Sequence, residues 1–181
     1  MKGFGSKAGC HSGNPVVFEI DGITVYAGGH SRQGGWHRME VMPDLAIGPR
    51  QVMDDGVANK TTVPKGFGCA DYIGGDTPKY VISIDWPDFG IPQDVEREWW
   101  IALVEDIKRL GIKTISTQCV GGHGRTGVQL SILAHMLGAT KQVDAYSLIK
   151  WVQSQYCSHA VETSGQQQYV ADICDIPMGE E

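Results

Sequence analysis

Between Lys79 and Leu137 the chain reads as strand, helix, strand, glycine-rich loop and helix, and that order constrains the fold more than any other feature. KYVISI is a short β-rich run suited to a buried strand, and the turn-like DWPDFGIP ends it. From Asp94 to Leu110 the spacing predicts a helix, with Val95, Trp99, Leu103, Ile107 and Leu110 on one face. Gly111 stands where a helix-terminating glycine belongs. IKTIST is the second strand, QCVGGHGRTG follows it, and a helix over about 126–137 comes next with Gly138 behind it. Strands joined through a helix pair in parallel, so an α/β domain with helices on the faces of its sheet is expected. Ligands of such folds bind at the carboxyl ends of the strands, where both the 85–92 turn and the 118–127 loop fall.

The flanking segments are read with the same rules. VVFEI, Asp21-Gly22 and ITVYAGG predict a β-hairpin from Val16 to Ala27. A third helix is expected over about 141–156, with Val143, Leu148, Trp151 and Val152 apolar, and a fourth near Ser164, where Ser164 and Gln167 match a capping box. Residues 1–15 are glycine-rich and expected to be loosely held. Residues 28–78 show little periodicity and hold either short unplaced strands or a functional loop. With 181 residues, 41% hydrophobic and 20% charged, the chain is expected to be one domain over 1–181.

Charge and cysteines narrow the function classes. Fifteen Lys and Arg against 21 Asp and Glu give a net charge of -6, which argues against broad binding to nucleic acid or an anionic membrane. One local anion site remains compatible with it. No apolar run approaches a membrane span, and MKGFGSKAGCHSGN lacks a stretch of signal-peptide length. Five cysteines form no even framework, so a reduced, cytoplasmic setting with free thiols is expected. Cys10-His11, His30 and His37 show no C-x2-C or H-x3-H spacing, and no metal is expected there.

The loop after the second strand carries the chemistry. Cys119 ends a strand, Val120, Gly121, Gly122, His123 and Gly124 loop over, and Arg125 and Thr126 open a helix. The three glycines let backbone N–H groups turn inward as an anion nest, and the helix adds its free N–H groups and positive dipole end. A thiol at such a place loses its proton easily, because the field that holds a phosphate also stabilises a thiolate. Arg125 can grip two phosphate oxygens in parallel. The Thr126 hydroxyl is placed to hydrogen-bond the sulfur when it leaves phosphorus. By composition alone the full pattern, glycines included, arises in fewer than about one in ten thousand such chains.

CVGGHGRTG resembles the C-x5-R-[ST] signature of the cysteine-dependent protein tyrosine and dual-specificity phosphatases. Cys119, Gly122, Gly124, Arg125, Thr126 and Gly127 match every fixed position of C-x-x-G-x-G-R-[ST]-G. Trp86-Pro87-Asp88, continuing through Phe89, Gly90 and Ile91 to Pro92, resembles the family's WPD loop and puts Asp88 at its general acid. Asp85, at the end of the same strand, is the fallback. Gln166-Gln167-Gln168-Tyr169 resembles the glutamine loop that positions the hydrolytic water. Aligning Gln168-Tyr169 with the end of Q-T-x-x-Q-Y selects Gln168 and places Ser164 at the start of that motif. The resemblance covers about residues 79–175. It departs at Gln118, where the family usually has His before the nucleophile, and in 28–78, where no phosphotyrosine recognition loop is recognisable. Trp36 and Tyr72 are the candidate stacking aromatics there, although such residues more often simply pack. His123 stands where a cationic residue marks some phosphoinositide and inositol-phosphate phosphatases.

The resemblance implies a central mixed, largely parallel sheet flanked by helices. It also implies a phosphomonoester hydrolase that works through a phosphocysteine and needs no cofactor. Cys119 is then the nucleophile, residues 120–125 hold the phosphate, and Asp88 is the acid and afterwards the base. Phosphotyrosine, alone or with phosphoserine and phosphothreonine in proteins, is the implied substrate. Two alternatives stay open: a phosphatase of phosphoinositides, inositol phosphates or nucleotides, and a phosphate-binding module with little turnover.

Overall fold

In a computed structural model describing residues 13–30, 39–53, 61–62, 70–72 and 78–180, the amino-terminal hairpin forms as its turn residues dictate. Asp21 and Gly22 take φ of 49° and 77°, the two positive values that a primed turn requires, and join β1 (Val16–Ile20) to β2 (Ile23–Gly29). Among the described residues the remaining strands are β3 (Leu45–Pro49), β4 (Thr61–Thr62), β5 (Ala70–Tyr72), β6 (Tyr80–Ile84) and β7 (Thr114–Cys119). They make one sheet in the order β1-β2-β7-β3-β6-β5-β4. The four inner strands β2, β7, β3 and β6 run parallel, and both edges are antiparallel. The sheet is thus mixed and largely parallel, as expected.

Side-chain alternation assigns the two faces. Leu45, Ile47, Tyr80, Ile82 and Ile84 enter the main core, whereas Ala46 and Val81 point the other way onto Val52 and Met53 of the short helix α1 (Arg50–Met53). Four longer helices supply the main core: α2 (Arg97–Arg109), α3 (Gly124–Leu137), α4 (Ala145–Gln155) and α5 (Ser164–Cys174). Trp100 is fully buried among them, and its indole N–H donates to the Tyr169 hydroxyl, which donates in turn to the Val95 carbonyl.

Several boundaries differ from the sequence reading. Helix α2 starts at Arg97 rather than Asp94, whose φ of 55° is left-handed, and Trp100 rather than Trp99 is the deeply buried ring. Helix α4 starts at Ala145, because the Asp144 carboxylate caps it by accepting from Ser147 N–H, and this leaves Val143 exposed. At the last helix Thr163, not Ser164, is the cap, accepting from Gln166 N–H. The strand LAIGP and its helix occupy part of the aperiodic 28–78 stretch. Cys119 and Cys174 are free, but Cys157 is disulfide-bonded, which corrects the expectation of reduced thiols throughout. Cys10, His11, Trp36 and His37 lie outside the described residues. Among the described residues no helix is long and apolar enough to cross a membrane.

Candidate active site

β7 lies in the middle of the sheet, and its last residue, Cys119, sits opposite Gly29 with only 3% of its surface exposed. The chain must turn at once to avoid β2. Gly122 does this with a φ of 75°, at a point where a Cβ would stand 2.7 Å from Gly29 N. Its N–H donates to Cys119 Sγ at 3.1 Å, and its carbonyl accepts from the Tyr156 hydroxyl at 2.6 Å. Both polar groups of this residue are therefore committed, one toward the sulfur and one away from it. Burial, and then the charge at Cys119, push the Tyr156 phenol well above its ordinary range, so it remains a donor.

Arg125 opens α3 and is almost wholly buried. Its Nη1 donates to the Trp86 carbonyl at 3.0 Å, and its Nη2 pairs with Asp88 Oδ1 at 3.0 Å. One guanidinium thus ties the loop that Cys119 opens to the Trp-Pro-Asp turn that follows β6, and the structure brings together Arg125 and Asp88. The turn has its own framework. Trp86 is buried and donates from Nε1 to the Gly90 carbonyl at 2.9 Å, while Gly90 N–H returns to the Pro87 carbonyl at 3.1 Å. Phe89 and Ile91 stay exposed beside Asp88.

Gln129 holds the two ends of the loop together. Its buried amide nitrogen donates to the Gln118 carbonyl at 3.1 Å and the Arg125 carbonyl at 3.2 Å. Nothing in the sequence distinguished it from an ordinary helix residue. The Gln118 side chain turns from the loop to Ser116 Oγ and Asn14 Oδ1.

Other expected residues are placed differently. The Thr126 hydroxyl donates to the Gly28 carbonyl at 3.3 Å, so in this arrangement the Gly122 N–H, not Thr126, contacts the sulfur. His123 is buried against the ring of His159 rather than solvent-facing. Val120 packs against the Ala46, Val52, Met53 and Val81 cluster, and Gly121 bridges it to Gly122. Gln168 is exposed and donates to Asp172 on its own helix, which corrects its assignment to the water site. Gln166 takes the inward place: it is fully buried, and its Nε2 donates to the Gly90 carbonyl at 3.3 Å.

Glu162, just before that cap, is a site residue the sequence reading missed. Its Oε2 accepts from the Gly124 N–H at 3.1 Å, and a Cβ at Gly124 would meet that oxygen at 2.6 Å. A separate cavity of about 330 Å³, lined by Ile20, Ile23, Lys108, Lys113 and Leu137, adjoins the start of β7, the end of that strand remote from Cys119.

Comparison with known proteins agrees with this geometry. Residues 76–175 match the family model for protein-tyrosine phosphatase. Two uncharacterized proteins of Methanocaldococcus jannaschii are each 31% identical, over 88 and 85 residues. Each match covers 47% of this chain, with 49% of one relative and 53% of the other, so the chain spans about half the length of the curated relatives it matches. The fold is similar to that of Tk-PTP in its active form, with TM-score 0.50 and 16% identity over 88% of this chain and 94% of that one. It is equally similar to OH1, a tyrosine phosphatase from the Orf virus, with TM-score 0.50 and 14% identity over 95% of this chain and 93% of that one. A central strand ending in Cys119, an arginine-anchored loop above it and a family match spanning both lead to one conclusion: the chain belongs to the protein-tyrosine phosphatase family.

Proposed function

We propose that this protein is a phosphomonoester hydrolase that works through a phosphocysteine on Cys119 and acts on phosphotyrosine, alone or with phosphoserine and phosphothreonine, in proteins. The observation that carries this reading is the pairing of buried Arg125 with Asp88 at the end of the loop that Cys119 opens, with the Cys119 sulfur accepting the Gly122 N–H. In the first step the sulfur attacks phosphorus, the S–P bond forms and the ester P–O bond breaks. Asp88 gives its proton to the departing oxygen. Arg125 and the loop N–H groups hold the non-bridging oxygens, whose charge peaks in the transition state. In the second step water attacks the phosphocysteine, and inorganic phosphate and the thiolate are released.

Exposed Phe89 and Ile91 flank Asp88 and give the mouth an apolar rim suited to an aryl ester. Cytoplasmic localisation belongs to this reading and rests on the free Cys119 thiol; the disulfide at Cys157 is the observation that weighs against it. The test is a panel of phosphotyrosine and phosphoserine peptides, inositol phosphates and phosphoinositides, with wild-type and Cys119→Ser protein side by side. Phosphopeptide turnover that depends on Cys119 supports the proposal. Turnover confined to inositol phosphates or lipids overturns the substrate class, and tight phosphopeptide binding without turnover overturns the activity.

A further inference from the structure

Cys119 ends β7 and Arg125 opens the first turn of α3, so the two residues that the proposed reaction uses belong to different elements. Five residues separate them, three of them glycine. Such a chain does not hold a fixed span by itself, because each glycine adds backbone freedom. The sheet secures the Cys119 end on one side only. β2 pairs with β7 as far as Gly29 and Cys119. Pairing with β3 runs from Leu45–Ile115 to Ile47–Thr117 and stops one residue short of Gln118. Beyond that point the Gln118 carbonyl lies beside Gly48, where a Cβ would stand 2.7 Å from its oxygen. A side chain takes over where the ladder stops.

That side chain is Gln129, one helical turn beyond Arg125 and fully buried. Its Nε2 donates to the Gln118 carbonyl at 3.1 Å and to the Arg125 carbonyl at 3.2 Å, which uses both hydrogens of the amide. A single nitrogen therefore sets the separation between the peptide that leads into Cys119 and the peptide that carries Arg125. Tyr156 and Glu162 each hold one residue in the middle of the loop, Gly122 and Gly124, whereas Gln129 spans its ends. Packing does not account for a glutamine here. An amide is costly to bury, and a methionine of the same length would fill the place without one.

We propose that Gln129 is a positioning residue for phosphoryl transfer: its amide fixes the span from Cys119 to Arg125 and so holds the phosphate cradle ready for the transition state. The assignment rests on the reading of this loop as the phosphate site. A cradle fixed in advance needs no reorganisation as charge develops on the non-bridging oxygens. Released from the amide, sulfur and guanidinium drift relative to each other, and a displacement of about 1 Å costs about 10²-fold in rate.

The test is turnover of p-nitrophenyl phosphate from pH 5 to pH 8 by wild type, Gln129→Met and Gln129→Glu, each checked for folding by circular dichroism at the assay temperature. Gln129→Met keeps the length and donates nothing, so its kcat/KM should be about 10²-fold below wild type at every pH. Orthovanadate, which takes the five-coordinate geometry of the transition state, should inhibit it more weakly by a similar factor. Gln129→Glu can donate to a carbonyl only while its carboxyl is protonated. At pH 5 it should therefore exceed Gln129→Met, and the advantage should shrink as the carboxyl ionises against two carbonyl oxygens. A change of packing alone produces no such pH-dependent rescue. Wild-type kcat/KM in folded Gln129→Met, or two variants that track each other across the whole pH range, would overturn the assignment. If Gln129→Met does not fold, Gln129→Glu measured against wild type decides: its relative rate must be higher at pH 5 than at pH 8, and the reverse overturns the proposal. Equal turnover by wild type and Cys119→Ser would instead sink the reading of the loop as the phosphate site, and this assignment with it.

Discussion

The hydroxyl of Tyr156, at the carboxyl end of α4, donates to the carbonyl of Gly122 in the Cys119–Arg125 loop at 2.6 Å, across 34 residues of chain. This bond fixes the outward carbonyl of a residue whose N–H contacts the Cys119 sulfur. Tyr156→Phe leaves that buried carbonyl without its donor at a cost of about 1–3 kcal/mol. Urea unfolding should show a loss of that size. Because the loop loses its fixed shape, kcat/KM should fall about tenfold for each 1.4 kcal/mol expressed at the transition state. An unchanged kcat/KM at reduced stability would make Tyr156 a packing residue only.

Asp88→Ala should slow poor leaving groups far more than good ones. A weakly acidic alcohol departs with more negative charge on its oxygen, and a positioned acid contributes about 10²–10⁴-fold. First-step rates for phosphotyrosine peptides should fall within that range, whereas a highly fluorinated aryl phosphate should be slowed much less. The basic limb of the pH–rate profile should disappear with the carboxyl. Equal slowing of both esters, with the limb intact, would shift attention to Asp85.

The two free thiols among the described residues should differ in reactivity. Burial pushes the Cys174 thiol up to about 12, only partly offset by the Arg97 charge, so it stays protonated at neutral pH. Iodoacetamide at pH 7.5 should label Cys119 in the native protein and reach Cys174 only after unfolding. Mapping the modified peptides checks this; native labelling of Cys174 would contradict its burial.

Stability should fall on mild acidification. Burial lowers the His135 pKa below its ordinary 6.5, and Arg97 lowers it further, against a hydrogen bond to the Cys174 backbone that raises it. The unfolded chain then binds more protons than the native one in the window below 6.5, so stability is complete above 6.5 and is lost as pH drops through the folded value. Urea midpoints at pH 7.5 and pH 5.5 should converge in His135→Gln relative to wild type.

The parts legible in the sequence are those whose signal is local. Asp21-Gly22 announces its hairpin, and Cys119 through Gly127 announce their loop because its glycine positions and its arginine are fixed by anion-binding geometry. The strand LAIGP was not legible. A buried inner strand has no polar alternation to mark it, and Gly48-Pro49 reads as a turn. Gln166 was missed for Gln168 because the motif was aligned on Gln168-Tyr169, and only packing against the Asp88 turn shows that Gln166 is the inward residue. Gln129 carries no sequence signal, and Glu162 has only the weak one of preceding Thr163 and Gln166 at the Q-T-x-x-Q spacing. Their roles exist only because a carboxylate and an amide from distant segments meet the same loop.

The central claim, that Cys119 accepts the phosphoryl group, is tested most directly by mass spectrometry of acid-quenched protein after one turnover of a phosphotyrosine peptide. The account predicts one phosphoryl group on the peptide containing Cys119, absent in Cys119→Ser, which should still bind the peptide. Complete release of inorganic phosphate with Cys119 never modified, or turnover surviving in Cys119→Ser, would contradict it.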